Sequence, residues 1–216
     1  MPLDHLVLAS GDLTGLIDAF RAATGVDPVP GGRHAVGTAN ALVPVTVLGR
    51  PTGSYLELIG PETSQTTLTE DFFGLATSGA PRVAAFAIRG SLEEWSARYR
   101  ARGRDPWQIK DLSRQTPAGD LLRWRFVPPA PVPVDPVPFV IDWLDSPHPS
   151  GVAEPVIDLL SLRLGHPDPA VRAELAALSP VIEAMEAPPS LGIVLRTPHG
   201  VVTETDLGLA PGPSEH

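Results

Sequence analysis

Leu3-Asp4-His5-Leu6-Val7-Leu8-Ala9-Ser10-Gly11-Asp12-Leu13 opens the chain, and Ala84-Ala85-Phe86-Ala87-Ile88-Arg89-Gly90-Ser91-Leu92 repeats its pattern of an apolar run, a glycine, a polar helix start and a leucine. Gly11 and Gly90 stand 79 residues apart, as do Leu13 and Leu92. A third echo, Leu160-Ser161-Leu162-Arg163-Leu164-Gly165-His166-Pro167-Asp168, again leads into a helical pattern. Duplication of this length constrains architecture more than any short motif, because copies in equivalent places of a pseudo-symmetric fold give each residue a counterpart.

The first copy reads as a strand over Leu3–Ala9 and a helix over Leu13–Ala23, capped by Asp12 and stopped by Gly25. Pro30-Gly31-Gly32 predicts a turn, Thr38–Val47 a strand broken near Pro44, and Tyr55-Leu56-Glu57-Leu58-Ile59 a strand with Tyr55, Glu57 and Ile59 on one face. A polar connection from Pro61 to Pro81 carries a short predicted helix around Glu70 to Ala76. The order then returns: strand Arg82–Ile88, helix Ser91–Ala101 stopped by Gly103, a hairpin around Thr116–Asp120, strand Leu121–Val127. A proline-rich extended connector, residues 128–138, delivers Phe139-Val140-Ile141-Asp142-Trp143, which answers Tyr55–Ile59. A third, shorter unit of strand Val156–Leu164, helix Pro169–Leu178, strand Val181–Ala187 and hairpin Leu191–Thr205 ends in a polar tail from Ala210. The chain is thus expected to be one α+β domain over residues 1–216, with strand-helix-strand-strand-strand modules at about 2–61 and 82–145 and a truncated third at about 155–205.

Composition narrows the function classes. A hydrophobic share of 43% and a charged share of 19% over 216 residues fit a globular chain with a sizeable core. The net charge of −9 disfavours a nucleic-acid or anionic-membrane surface, which needs a concentrated positive field. With no cysteine, disulfides, thiolate nucleophiles and thiolate metal sites are excluded together, so any metal must be held by His and carboxylate. No secretory signal pattern and no apolar stretch of membrane-spanning length is read, so a cytoplasmic location is expected. A Gly-x-Ser-x-Gly elbow, a phosphate loop and a dinucleotide glycine fingerprint are also missing, which disfavours serine hydrolysis and nucleotide chemistry.

The repeated modules resemble the vicinal oxygen chelate superfamily of glyoxalases, bleomycin-resistance proteins and dioxygenases. The run LDHLVL with a following DL, GGRH before GTANAL, YLELIGP, LLRWRF, PFVIDW, SPHP and RLGHPDP is similar to its glyoxalase-like domain family, over about residues 2 to 205. The resemblance implies half-open curved sheets whose paired halves form a cup for a small molecule. It also implies isomerase-, lyase- or dioxygenase-like chemistry on a vicinal-oxygen or carbonyl substrate, or sequestration of a drug without turnover. A homodimer is compatible with it.

The resemblance places His5 and Glu57 where such enzymes hold the metal ligands of their first half, and alternation points both side chains to one concave face. In the second half the counterpart of His5 is Ala84, which ligates nothing, while Asp142 answers Glu57 or lies one residue off. No metal is therefore expected; a divalent ion (Zn, Fe, Mn or Ni), if present, would use His5, Glu57 and Asp142. His5 and Glu57 are the catalytic candidates. For substrate binding the candidates are His34 after the glycine pair, Asn40 in mid-strand, Arg123 and Arg125 as an anion clamp beside Trp124, and Asp142, Trp143 and His148. Loop or core roles compete with each: a surface His34, solvated arginines, a backbone-pinning Asn40, and Trp143 as core.

Overall fold

The computed structural model describes residues 3–75, 79–101, 109–128 and 136–210. Its first module comprises β1 (Leu3–Ala9), α1 (Leu13–Thr24), β2 (Val29–His34), β3 (Thr38–Val47) and β4 (Arg50–Pro61). The second comprises β5 (Arg82–Arg89), α2 (Leu92–Ala101), β6 (Lys110–Gln115), β7 (Leu121–Val127) and β8 (Phe139–Asp142). In each module the first strand pairs in parallel with the last, and the spatial orders β1-β4-β3-β2 and β5-β8-β7-β6 are the same. The duplication read from the sequence is therefore a duplication of topology.

Two seams join the halves. Antiparallel pairing of β1 with β5 is long, whereas β2 meets β6 at only two residue pairs, Arg33 with Gln115 and His34 with Arg114. Together they curl the strands into a ring around a cup. Local chemistry sets the helices as expected: the Asp12 carboxylate accepts from Gly15 N–H at 2.9 Å, and Gly25 ends α1 at φ 74°, a conformation a Cβ disfavours. Leu16 and Phe20 of α1 pack outside the ring with Leu6 and Leu8, Leu56 and Leu58, and Phe86 and Ile88, the outward sets of β1, β4 and β5.

The third unit covers this outer core. It contains β9 (Ile157–Gly165), α3 (Pro169–Ala176), β10 (Ile182–Met185), β11 (Ser190–Thr197) and β12 (Gly200–Thr203), with β9-α3-β10 forming a parallel βαβ unit. β3 hands one edge over at Pro44: residues up to Leu42 pair with β2, and Val45–Val47 pair with β9. A proline, lacking an N–H, suits a strand at the point where its partner changes.

Two local expectations change. Pro30-Gly31-Gly32 is strand, not turn, because β2 is held between β3 and β6. Glu70 to Leu75 form no helix; the connection is irregular and turns Phe72, Phe73 and Leu75 against the ring's interior. Gly103, Ala76 and the centre of the proline-rich connector (129–135) lie outside the described residues, as does the tail after Ala210.

Candidate functional site

The cup is built on an irregularity at the start of β1. Its register with β5 jumps from Leu3–Ile88 to His5–Ala87, leaving Asp4 as an extra residue. Such a bulge re-aims a side chain that regular alternation would send to the opposite face. Asp4 is fully buried, and its Oδ1 lies 2.7 Å from His5 Nδ1. Its Oδ2 lies 2.9 Å from His148 Nε2 and 3.3 Å from Arg89 Nε, while Trp143 Nε1 donates toward both oxygens at 3.3 and 3.4 Å. Burial alone raises the pKa of Asp4, but hydrogen bonds with His148 and His5 outweigh it and hold the carboxyl well below the usual carboxylate range.

Held at Nδ1, the His5 ring stacks on Tyr55 with centroids 4.7 Å apart and presents Nε2 to Glu57 Oε2 at 3.5 Å. The register explains the convergence: His5 is opposite Tyr55 and Val7 opposite Glu57 in the parallel β1–β4 pair, so His5 and Glu57 share the inner face. Burial drives the Tyr55 phenol well above its ordinary pKa, with the Asp4 and Glu57 carboxylates adding to the effect, so it stays protonated. Asp4, His5 and Glu57 thus form a carboxylate–imidazole–carboxylate row leading into the cup.

Glu57 is also reached from β3. Asn40 donates from Nδ2 to Glu57 Oε1 at 2.5 Å and accepts at Oδ1 from an Arg114 Nη1–H at 3.0 Å. The two charged neighbours fix the amide's orientation, since a guanidinium only donates and a carboxylate only accepts. His34, whose side chain is 7% exposed, lies with Nε2 4.0 Å from Glu57 Oε1 and with Nδ1 2.8 Å from Thr38 Oγ1. Burial lowers its pKa from 6.5 to about 4, Arg114 reinforcing the shift and Glu57 opposing it. A base whose folded pKa is depressed binds fewer protons than the unfolded chain in the interval between the two values. Stability from this residue is therefore full above pH 6.5 and is lost as pH falls toward 4. Replacing His34 by Gln is expected to flatten the stability curve between those pH values by up to about 3 kcal/mol, measured by urea denaturation across the window.

Opposite this polar wall the cup is mostly apolar, with Glu70 and Asp71 also on its lining. Leu112, Trp124, Phe126, Phe139, Ile141 and Trp143 line it from the second half, with Phe72, Phe73 and Leu75 closing over from the connection between β4 and β5. Three expected binding residues are elsewhere. On β7, Trp124 and Phe126 occupy the inward positions, so Arg123 and Arg125 point outward. Arg123 is exposed, and Arg125 lies 3.6 Å from Asp142 and 3.8 Å from Glu93 of α2. Asp142 is outward for the same reason, with Phe139 and Ile141 on the inner face of β8, so no carboxylate of β8 enters the cup. His34, Trp143, His5 and Glu57 line the cup, Asn40 lies behind Glu57, and His148 reaches the site through Asp4.

Two residues not singled out from the sequence are central. Asp4 carried no signal, because strand alternation assigns it outward. Arg114 had an indirect one in the glycine pair. A Cβ on Gly31 would stand 2.3 Å from Asn40 Oδ1 and 2.8 Å from Arg114 Nη1, and one on Gly32 2.0 Å from the Gln115 carbonyl oxygen. The glycines leave room for the guanidinium.

The donor set does not fit a superfamily metal site. His5 Nε2 and Glu57 Oε2 stay open, but β5 and β8 offer Ala85, Ala87, Phe139 and Ile141 inside the ring, so the second half supplies no matching pair of ligands. Among the described residues no group of three or more His, Asp or Glu is arranged to hold an ion.

The family model described as "Glyoxalase-like domain" matches residues 3–179. A hypothetical protein from Staphylococcus aureus superposes with TM-score 0.59 at 13% identity, covering 93% of this chain and 83% of that one, a likeness of fold alone. Methylmalonyl-CoA epimerase from Streptomyces coelicolor, in complex with 2-nitronate-propionyl-CoA, gives TM-score 0.41 at 18% identity over 69% of this chain and 99% of that one. The methylmalonyl-CoA epimerase from Mycobacterium tuberculosis gives 0.36 at 20% identity, over 65% and 85%. No curated protein matches the chain. No helix among the described residues is long and apolar enough to cross a membrane.

Proposed function

The chain belongs to the glyoxalase-like domain family, a small-molecule enzyme or binder of the vicinal oxygen chelate type, and from that premise we propose that it moves a proton on a small carbonyl compound held in the cup. The observation that carries this reading is the Asp4–His5–Glu57 row, with spacings of 2.7 and 3.5 Å, ending at the apolar cavity. Glu57 takes the proton from the carbon beside the carbonyl; the C–H bond breaks and its electron pair moves to the carbonyl oxygen. His5 Nε2 is the next acceptor in line, and Asp4 on Nδ1 both fixes that tautomer and balances the imidazolium that forms. Return of the proton to the same carbon, from the same or the opposite face, completes an exchange or an epimerisation. Acid–base groups in a dry pocket suit such chemistry, because neighbouring charges act there with little screening.

A second reading, sequestration without turnover, is favoured by the second half, whose lining is apolar apart from Arg114 and offers chiefly contact area. Incubation in D₂O with small keto acids, ketones and aldehydes, followed by proton NMR, separates the two. The expected result is enzyme-dependent loss of the signal beside the carbonyl, at a rate unchanged by EDTA. Binding with no exchange supports sequestration, and exchange abolished by EDTA and restored by a divalent metal refutes the proposed chemistry.

A further inference from the structure

Arg114 is 3% exposed, yet it makes no ion pair among the described residues; its one hydrogen bond is from Nη1 to Asn40, and its buried Nε has no partner. Burying a guanidinium away from water without a counter-charge is costly, and buried cations are ordinarily paired. Glu57, the carboxylate reached through the same amide, is kept apart from it because Asn40 is inserted between the two. Direct contact would neutralise both groups. The spacer leaves Glu57 available as a base and leaves guanidinium N–H groups available for something else. The position is built for it: Gly31 and Gly32 clear the space, and Arg114 stands across the β2–β6 seam from His34 on the cup wall.

We propose that Arg114 receives the carboxylate of the ligand, so that the cup selects small monocarboxylic acids with an apolar or aromatic body. The planar fork of a guanidinium matches a carboxylate through parallel hydrogen bonds. Beyond that end, Trp124, Phe126 and Phe72 line the cavity and offer flat apolar surfaces to the rest of the molecule. A dianionic phosphate is disfavoured, since Glu57 and the apolar walls raise the cost of desolvating a second charge. The inference rests on the cup being the ligand site.

The test is calorimetric titration of the full chain with a graded series of acids, from acetate through phenylacetate and phenylpyruvate to naphthylacetate, with the matching amides and phenyl phosphate. Acids are expected to bind at least about tenfold more tightly than their amides. Arg114→Lys should lose about tenfold on the acids, and Arg114→Gln should erase the acid preference, while melting temperatures report that each variant folds. If a variant fails to fold, the Arg114 Nε–H resonance of the wild type gives an independent reading: it should shift on addition of phenylacetate and stay in place with phenylacetamide. Equal binding of acids and amides overturns the carboxylate assignment and leaves the cup as a ligand site. Tighter binding of phenyl phosphate overturns it in favour of phosphate. Binding of no member of the series overturns both the assignment and the cup reading on which it rests.

Discussion

Glu57→Gln is expected to lower the rate of carbon–hydrogen exchange by about 10² to 10⁴, the range that removal of a positioned general base produces. The substitution keeps the shape of the side chain and an oxygen to accept from Asn40, so folding should be preserved and ligand affinity little changed. Loss of rate at constant affinity is the signature of a group acting in the transition state, and single-turnover measurements with saturating ligand read it directly. Equal loss of affinity and rate would instead make Glu57 a binding group. An unchanged rate would take it out of the chemistry.

Removing the Asp4 carboxylate should be the most damaging change to stability. Asp4→Ala leaves His5, His148 and Trp143 without their shared buried partner and Arg89 without its counter-charge. Breaking a buried charge network from one side costs about 3–5 kcal/mol, and urea denaturation at pH 7 measures it. Asp4→Asn should cost less, since an amide oxygen still accepts, and it isolates the charge. The folded pKa of Asp4 lies below its ordinary value of 3.8, so its stabilisation is fully present above pH 3.8 and is lost as pH falls further. The difference between wild type and Asp4→Asn should therefore be constant at neutral pH and shrink in the acid limb. A difference independent of pH would show that Asp4 acts through packing rather than charge.

Much of this was legible from alternation. Tyr55-Leu56-Glu57-Leu58-Ile59 states which residues share a face, and His5 in a short apolar strand states the same for β1; the family resemblance adds which face is the cup. The same rule misled at β7 only through the choice of face. Leu122, Trp124 and Phe126 form the apolar set, and that set fills the interior because burying Arg123 and Arg125 without partners costs more than leaving them beside water, Asp142 and Glu93. Asp142 failed for a one-residue reason, the inner face of β8 falling on Phe139 and Ile141. Asp4 was illegible because a bulge is a property of two strands that meet, and neither strand encodes it alone. Arg114 sits in Lys110-Asp111-Leu112-Ser113-Arg114-Gln115, too polar for alternation to mark an inside. Its place becomes clear only when Gly31 and Gly32 are understood as cleared space rather than a turn.

Duplication gave this ring two interiors of common ancestry, and they have since divided the labour. Asp4, His5, Asn40 and Glu57 all lie on strands of the first copy, while Leu112, Trp124, Phe126, Phe139 and Ile141 come from the second. A change in the size or shape of the second set alters which molecule is held without disturbing a hydrogen bond of the first. A lineage carrying such a scaffold can exchange one ligand for another by single steps, each selectable, with the reactive groups inherited intact. The same separation offers a protein engineer a surface to randomise, the apolar part of the second-copy wall, beside one to leave alone, to which Arg114 belongs through Asn40.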